Sequence, residues 1–282
     1  MSFKDYQQTK KSGNFNKSRK SFSRGSNNRR DSGFNNSRNR FSAKKKVEQV
    51  THDREQFIDI KFPNTFLHLK RRGMDLFTKN LNPGEKYFDE LLTFKNVEGK
   101  KTELRHWDYT RSKLGAAIAL KISQLGLYEG SKVLYLGASH GFTPSFVSDM
   151  VGEKGFVFCL DFAPRVVRDL YLLCQKRGNM APIIADANHP EEYEELVSEV
   201  DVIFMDIAQR NQVEIFLKNF KFLKQDGVGL LALKARSVDV TRKPKHIFKE
   251  TRELLEKEVI IADYKELDPH EKDHCFFVCK KK

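Results

Sequence analysis

Residues 133–143 read Val-Leu-Tyr-Leu-Gly-Ala-Ser-His-Gly-Phe-Thr, and Phe156-Val-Phe-Cys-Leu-Asp161 follows after a gap the length of one helix. A short apolar run, two glycines, a helix start and a second apolar run closed by a carboxylate describe two buried parallel strands joined by a crossover. Gly137 and Gly141 let the backbone turn tightly and approach a ligand that a side chain would keep away. Asp161 lies 24 residues after Gly137, near the spacing at which dinucleotide folds place an acid on ribose hydroxyls. The segment therefore predicts a nucleotide-type cofactor site.

The glycine spacing narrows the cofactor. Gly137 and Gly141 form G-x-x-x-G, whereas a pyrophosphate is brought onto a helix N-terminus by G-x-G-x-x-G. A looser loop with an acid after the second strand suits S-adenosylmethionine, which has no phosphate to neutralise. An ordinary strand-to-helix turn would also use glycines, and only the acid at Asp161 separates the two readings.

Charge is spread unevenly. Residues 1–46 hold fourteen lysines and arginines against Asp5 and Asp31, a net +12 of the chain's formal +13. That segment is Ser-, Asn- and Arg-rich with Phe3, Phe15, Phe22, Phe34 and Phe41 interspersed. It is expected to be a disordered tail that neutralises phosphates and stacks on unpaired bases, with a plain solubilising tail as the alternative. The remaining body is nearly neutral. Cys159, Cys174, Cys275 and Cys279 contain no C-x-x-C pair, so buried thiols are expected and no metal site. The chain shows no signal-peptide pattern and no apolar run of membrane-spanning length, which fits a soluble intracellular protein.

The order of elements predicts three segments: the tail at 1–46, a small β-rich domain at 47–110, and an α/β domain at 111–282. Short apolar stretches and the turns Arg72-Gly73 and Asn82-Pro83-Gly84 predict strands and hairpins in the second. Leu114, Ala117, Ile118, Ile122 and Leu125 predict an amphipathic helix over 112–125, stopped at Gly126. Strand-like runs at 133–136, 156–160, 182–185, 202–205 and 228–233 then alternate with helical patterns, the sign of a parallel sheet covered on both sides. The runs 259–267 and 274–280 are separated by only Asp268-Pro-His-Glu-Lys-Asp273, too short for a parallel crossover. The last strand is therefore expected to run antiparallel, giving the seven-stranded, Rossmann-like sheet of S-adenosylmethionine-dependent methyltransferases.

Ligands of such sheets bind beyond the carboxyl ends of the parallel strands. Asp206 follows one strand, Lys234 ends another, His274 begins the reversed strand at the same edge, and Lys113 heads the preceding helix. Two lysines, an aspartate and a histidine suit methyl transfer to a hydroxyl that must be aligned and lose a proton. Each alone also reads as an ordinary solvated or packed residue.

Arg111-Ser-Lys-Leu114, Val133-Leu-Tyr-Leu-Gly137, Asp201-Val-Ile-Phe204 with Asp206-Ile-Ala-Gln209, Ser237-Val-Asp-Val-Thr241 and Glu271-Lys-Asp-His274 resemble the fibrillarin family in its archaeal form. The likeness runs from about residue 50 to 282. It implies a catalytic Lys-Asp-Lys-His set at Lys113, Asp206, Lys234 and His274. It implies cofactor contacts at Gly137, Ala138, Thr143, Asp161, Phe162, Asp186, Ala187, Asp206 and Gln209. The implied activity is S-adenosylmethionine-dependent 2′-O-methylation of rRNA, and of tRNA, within a box C/D ribonucleoprotein. The implied partners are a guide RNA with its target, a Nop-domain scaffold protein and a kink-turn-binding ribosomal-type protein. Such an enzyme is cytoplasmic in an archaeal-type setting and nucleolar in a eukaryotic one. Lys234 is expected to take the 2′ proton if its surroundings lower its pKa. His140, Phe142 and Asp161 depart from the family's usual residues, and the tail has no Arg-Gly-Gly. A protein or small-molecule methyltransferase, and a non-catalytic scaffold subunit whose loop is spoiled by His140 and Phe142, stand as alternatives.

Overall fold

The computed structural model describes residues 56–282, so what the sequence predicts of the basic tail lies outside the described residues. An all-antiparallel sheet comes first, formed by β1 (Gln56–Asp59), β2 (Thr65–Leu69), β3 (Met74–Lys79), β4 (Leu92–Val97) and β5 (Lys100–Trp107), in the order β1-β2-β3-β5-β4. It rests on a helix of the following layer through charged groups as well as apolar ones. Trp107 stacks on Phe146 with centroids 4.8 Å apart. The fully buried Arg105 meets Asp149 at 2.7 Å and Glu90 at 2.9 Å.

The helix α1 (Lys113–Ala119) leads into the second sheet. Its length corrects the expectation of a helix to residue 125. Lys121 takes a left-handed φ of 62°, and Asp263 accepts a hydrogen bond from the Ser123 amide at 2.5 Å, which draws the chain out of the helical path. Ile122 and Leu125 are nevertheless buried; their periodicity marked a buried face that outlasts the helix itself.

The second layer alternates as expected: β6 (Lys132–Leu136), α2 (Phe142–Val151), β7 (Phe156–Asp161), α3 (Pro164–Lys176), β8 (Met180–Ile184), β9 (Val200–Met205), α4 (Gln212–Lys218), β10 (Leu223–Lys234), α5 (Ala235–Val238), α6 (Pro244–Glu258), β11 (Val259–Glu266) and β12 (His274–Lys281). The strand order is β11-β12-β10-β9-β6-β7-β8. Pairings among β6 to β10 are parallel, and β12 runs antiparallel between β10 and β11. All six residues of β9 are buried, as a strand covered on both faces requires. One apolar cluster lies on each side of the sheet. The first includes Tyr135 and Phe204 of the sheet, Phe146 of α2 and Leu170 and Leu173 of α3, the second Leu134, Phe216 and Phe277.

Candidate active site

The five parallel strands end at one edge, and the sequence places a polar group at or just beyond most of those ends. Gly137 follows β6, Asp161 closes β7, Asp186 follows β8, Asp206 follows β9 and Lys234 closes β10. The reversal of β12 brings its first residue, His274, directly opposite Lys234 in the sheet register. Lys113 arrives from the start of α1, where Ser112 caps the helix by accepting from the Gly115 amide.

The glycine loop is shaped by the protein itself. Gly137 has φ +84°, and a β-carbon there would lie 2.4 Å from the Asp206 carbonyl oxygen. Gly141, at φ +89°, would meet Leu173 at 2.4 Å. The expected close approach is thus to neighbouring protein: Gly137 lets the end of β6 lie against the end of β9. Gly137→Ala is expected to cost on the order of 2 kcal/mol, seen as a lower melting temperature, and to weaken S-adenosylmethionine binding in a calorimetric titration. Gly141→Ala should cost less, because it meets movable leucine side chains where Gly137 meets backbone.

Between the strand ends lies a cleft of about 140 Å³ lined by Gly137, Ser139, Asp161, Phe162, Asp186, Ala187, Asp206 and Gln209, among others. Asp161 accepts from the Ser139 amide at 2.9 Å and from the Ala163 amide at 3.1 Å, one on each oxygen; a carboxylate has further lone pairs for hydroxyl donors. Asp186 accepts twice from Asn188, through its amide and side chain, and its pKa is lowered, first by that backbone hydrogen bond. Asn188 also donates to Gln209 at 3.0 Å, tying the ends of β8 and β9 together. Phe162 is 66% exposed at this cleft. An uncovered aromatic face beside two anchored carboxylates fits an adenosine: a base against the ring, ribose hydroxyls and an exocyclic amine on the acids.

Ala138 and Thr143 are not among the cleft-lining residues. Ala138 is 1% exposed, with its amide bonded to the Leu160 carbonyl. Thr143 is buried and donates to the Ser112 hydroxyl at 3.0 Å, so it braces the head of α1. Ser139, Leu160, Ala185, Ile207 and Ala208 line the cleft without having been singled out in the sequence; all flank strand ends that were. His140 and Phe142 point elsewhere. His140 pairs with Asp169 at 3.0 Å, Phe142 packs edge-on to Phe88 under the Arg111 guanidinium, and both line a separate cleft of about 490 Å³. Neither intrudes on the cofactor cleft.

At the neighbouring strand ends, Lys113 Nζ meets Asp206 Oδ2 at 3.1 Å. Burial works against the Lys113 charge, but the charge and hydrogen bond of Asp206 and the charge of Glu271 prevail, so its pKa is raised. It remains an ammonium. His274 is shifted the other way, by burial first and then by the Lys113 charge. Its Nδ1 lies 2.7 Å from the Lys272 carbonyl and 3.9 Å from Glu271. Glu271, three residues before His274 in the connecting turn, is the charged neighbour that the strand-end reading passed over. Its pKa is raised, mainly by burial.

A seven-stranded sheet with one reversed strand, an adenosine-fitting cleft at its carboxyl edge and a cationic-acidic cluster beside it defines the S-adenosylmethionine-dependent methyltransferase class. The family model described as Fibrillarin matches residues 58–282. The chain belongs to the fibrillarin family. It is 47% identical over 221 residues to the fibrillarin-like rRNA/tRNA 2′-O-methyltransferase of Methanococcus voltae, covering 77% of this chain and 95% of that one. The Aeropyrum pernix fibrillarin with natively bound S-adenosyl-L-methionine superposes with a TM-score of 0.69 at 35% identity, covering 80% of this chain and 99% of that one. A chain of a fibrillarin/Nop5p complex gives a TM-score of 0.65 at 32% identity, with 74% and 94% covered.

Proposed function

We propose that this protein transfers a methyl group from S-adenosylmethionine to a ribose 2′-hydroxyl of RNA, as the catalytic subunit of a box C/D guide particle. The observation that carries this reading is the convergence of Lys113, Asp206, Lys234 and His274 beside the cofactor cleft. Relatives bear the name rRNA/tRNA 2′-O-methyltransferase, and one solved relative holds the cofactor.

Asp161, Phe162, Asp186, Ala187 and Gln209 hold the adenosine end. The bound cofactor supplies an electrophilic methyl on a sulfonium sulfur. Asp206, fixed by the Lys113 ammonium, sits where it can orient both the cofactor and the incoming ribose, and alignment of this kind supplies much of the acceleration. Lys234 and His274 face the same spot from adjacent strands. A fibrillarin pairs with Nop5p in a solved complex, which supports a Nop-domain scaffold here; the guide RNA and a kink-turn-binding protein complete the proposed particle.

The test is reconstitution with a guide RNA and an RNA carrying one complementary site. The expected product is a single 2′-O-methyl at the guided nucleotide, mapped by resistance to alkaline cleavage. Methyl on a base, on protein, or on no acceptor would defeat the reading. Removal of residues 1–46, with their net charge of +12, is expected to weaken RNA binding chiefly at low salt, measured by filter binding across a salt series, while calorimetric cofactor affinity stays unchanged.

A further inference from the structure

Two positions at the reacting edge are complementary. The hydrogen bonds of Lys234 run through its backbone to Gln212, and Lys234 stands opposite His274 across the β10–β12 pair. Residues opposite in an antiparallel pair project from the same face. His274 is 9% exposed, and its Nε2 is buried with no hydrogen-bonding partner among the described residues. Its other ring nitrogen is committed: Nδ1 lies 2.7 Å from the Lys272 carbonyl, an acceptor only, so Nδ1 carries the hydrogen. The neutral ring then presents a bare lone pair at Nε2. A buried acceptor left unpaired is costly, and a hydroxyl is the group the reaction brings in that can satisfy it. A 2′-hydroxyl placed here accepts from the Lys234 ammonium and donates to Nε2.

We propose that His274 Nε2, in place of Lys234, takes the 2′ proton, and that Glu271 is the positioning residue whose carboxylate, 3.9 Å from Nδ1, favours the imidazolium that forms, while the Lys272 carbonyl holds the tautomer. This rests on the functional reading above. In the step, the oxygen–hydrogen bond breaks and the imidazole lone pair forms a nitrogen–hydrogen bond at Nε2. The pair left on oxygen forms the bond to the methyl carbon, whose former bonding pair stays on sulfur. The imidazolium that results has the Lys272 carbonyl and the Glu271 carboxylate, 3.9 Å away, at its Nδ1 side, and loses its proton to water afterwards. Lys113 from α1, Asp206 after β9, Lys234 on β10 and Glu271 in the turn are the charged groups around the ring. The two ammonium groups oppose its protonation, Asp206 and the Lys272 carbonyl favour it, and the Glu271 carboxylate lies 3.9 Å from Nδ1. Burial and the lysines prevail, so the ring is neutral and competent at neutral pH.

Two measurements test this. In the full chain, nitrogen-15 spectra of the histidine rings, with His274 assigned from a His274→Asn variant, should show Nδ1 protonated and Nε2 bare. In Glu271→Gln the ring should titrate at lower pH, since an anion beside it is gone. In the reconstituted particle, single-turnover rate should climb with pH through a limb below pH 6.5 and then stay flat, and that limb should move to lower pH in Glu271→Gln. His274→Ala should lose roughly a hundredfold in rate. A rate that keeps rising above pH 7 toward the lysine range, or a protonated Nε2 at neutral pH, overturns the assignment and returns the proton to Lys234. An unmoved titration in Glu271→Gln overturns the role of Glu271. Absence of any RNA methylation by the intact protein would instead defeat the functional reading, and the spectra would still decide the tautomer.

Discussion

Asp206→Ala is expected to lower methyl transfer in the reconstituted particle by on the order of a thousandfold, while the protein stays folded. The backbone of residue 206 does structural work that alanine keeps: its amide donates to the Leu136 carbonyl at 2.9 Å, and its carbonyl lies against Gly137. Only the carboxylate is lost. With it goes the ion pair that holds Lys113 at 3.1 Å and the strongest influence keeping that half-buried lysine charged. The lysine is then free to leave the position from which it orients the site, and its pKa falls. Asp206→Asn separates charge from shape, since an amide fills the same space without pairing with the ammonium. It should recover little of the rate. Single-turnover transfer of a labelled methyl to the guided RNA measures the effect, with a thermal melt of each variant as the control. Loss of less than tenfold in Asp206→Ala with an unchanged melt would remove Asp206 from the reacting centre.

The edge at which these groups meet was legible from strand patterning because period and position are local properties. Most apolar runs ended where a polar residue began, and a connection of six residues sufficed to reverse β12 and bring His274 to Lys234. What stayed hidden depended on contacts between distant segments. The sequence of Ser112–Leu125 shows a helical face and cannot show that Asp263 captures the Ser123 amide and ends the helix early. Gly137 looked like room for a ligand because its neighbour, the Asp206 carbonyl, lies far along the chain. Thr143, a cofactor contact by likeness, donates its hydroxyl to Ser112, a partner far back along the chain that its own neighbours do not reveal. His140 and Phe142 looked disruptive because nothing local reveals Asp169, Phe88 and Arg111 waiting for them on the far side of the loop.

The largest effect on stability is expected at a position remote from the chemistry, Asp149 on α2. Its carboxylate is fully buried between two fully buried guanidiniums, Arg105 at 2.7 Å and Arg177, and also accepts from the Thr78 hydroxyl at 2.8 Å and the Leu81 amide at 3.1 Å. Arg105 comes from β5 and Thr78 from β3, so this one acid joins the first sheet to the helix that begins at the glycine loop. Asp149→Ala leaves two arginines out of water with Glu90 as the remaining carboxylate on Arg105. Breaking a buried pair from one side costs about 3–5 kcal/mol, against less than about 1 kcal/mol for an exposed pair. The midpoint of urea unfolding should fall accordingly, and the loss should be nearly independent of salt, because ions do not reach the site. Glu90 adds a pH signature. Burial raises its pKa, but Arg105 and the amides of Tyr87 and Phe88 outweigh this and leave it lowered. Its contribution is therefore full above the unfolded glutamate value of about 4.3 and disappears as pH falls through the lower folded value. A loss below about 1 kcal/mol in Asp149→Ala, or one that high salt abolishes, would mean that water reaches the network and that apolar packing, with Trp107 on Phe146 at its centre, holds the first sheet in place.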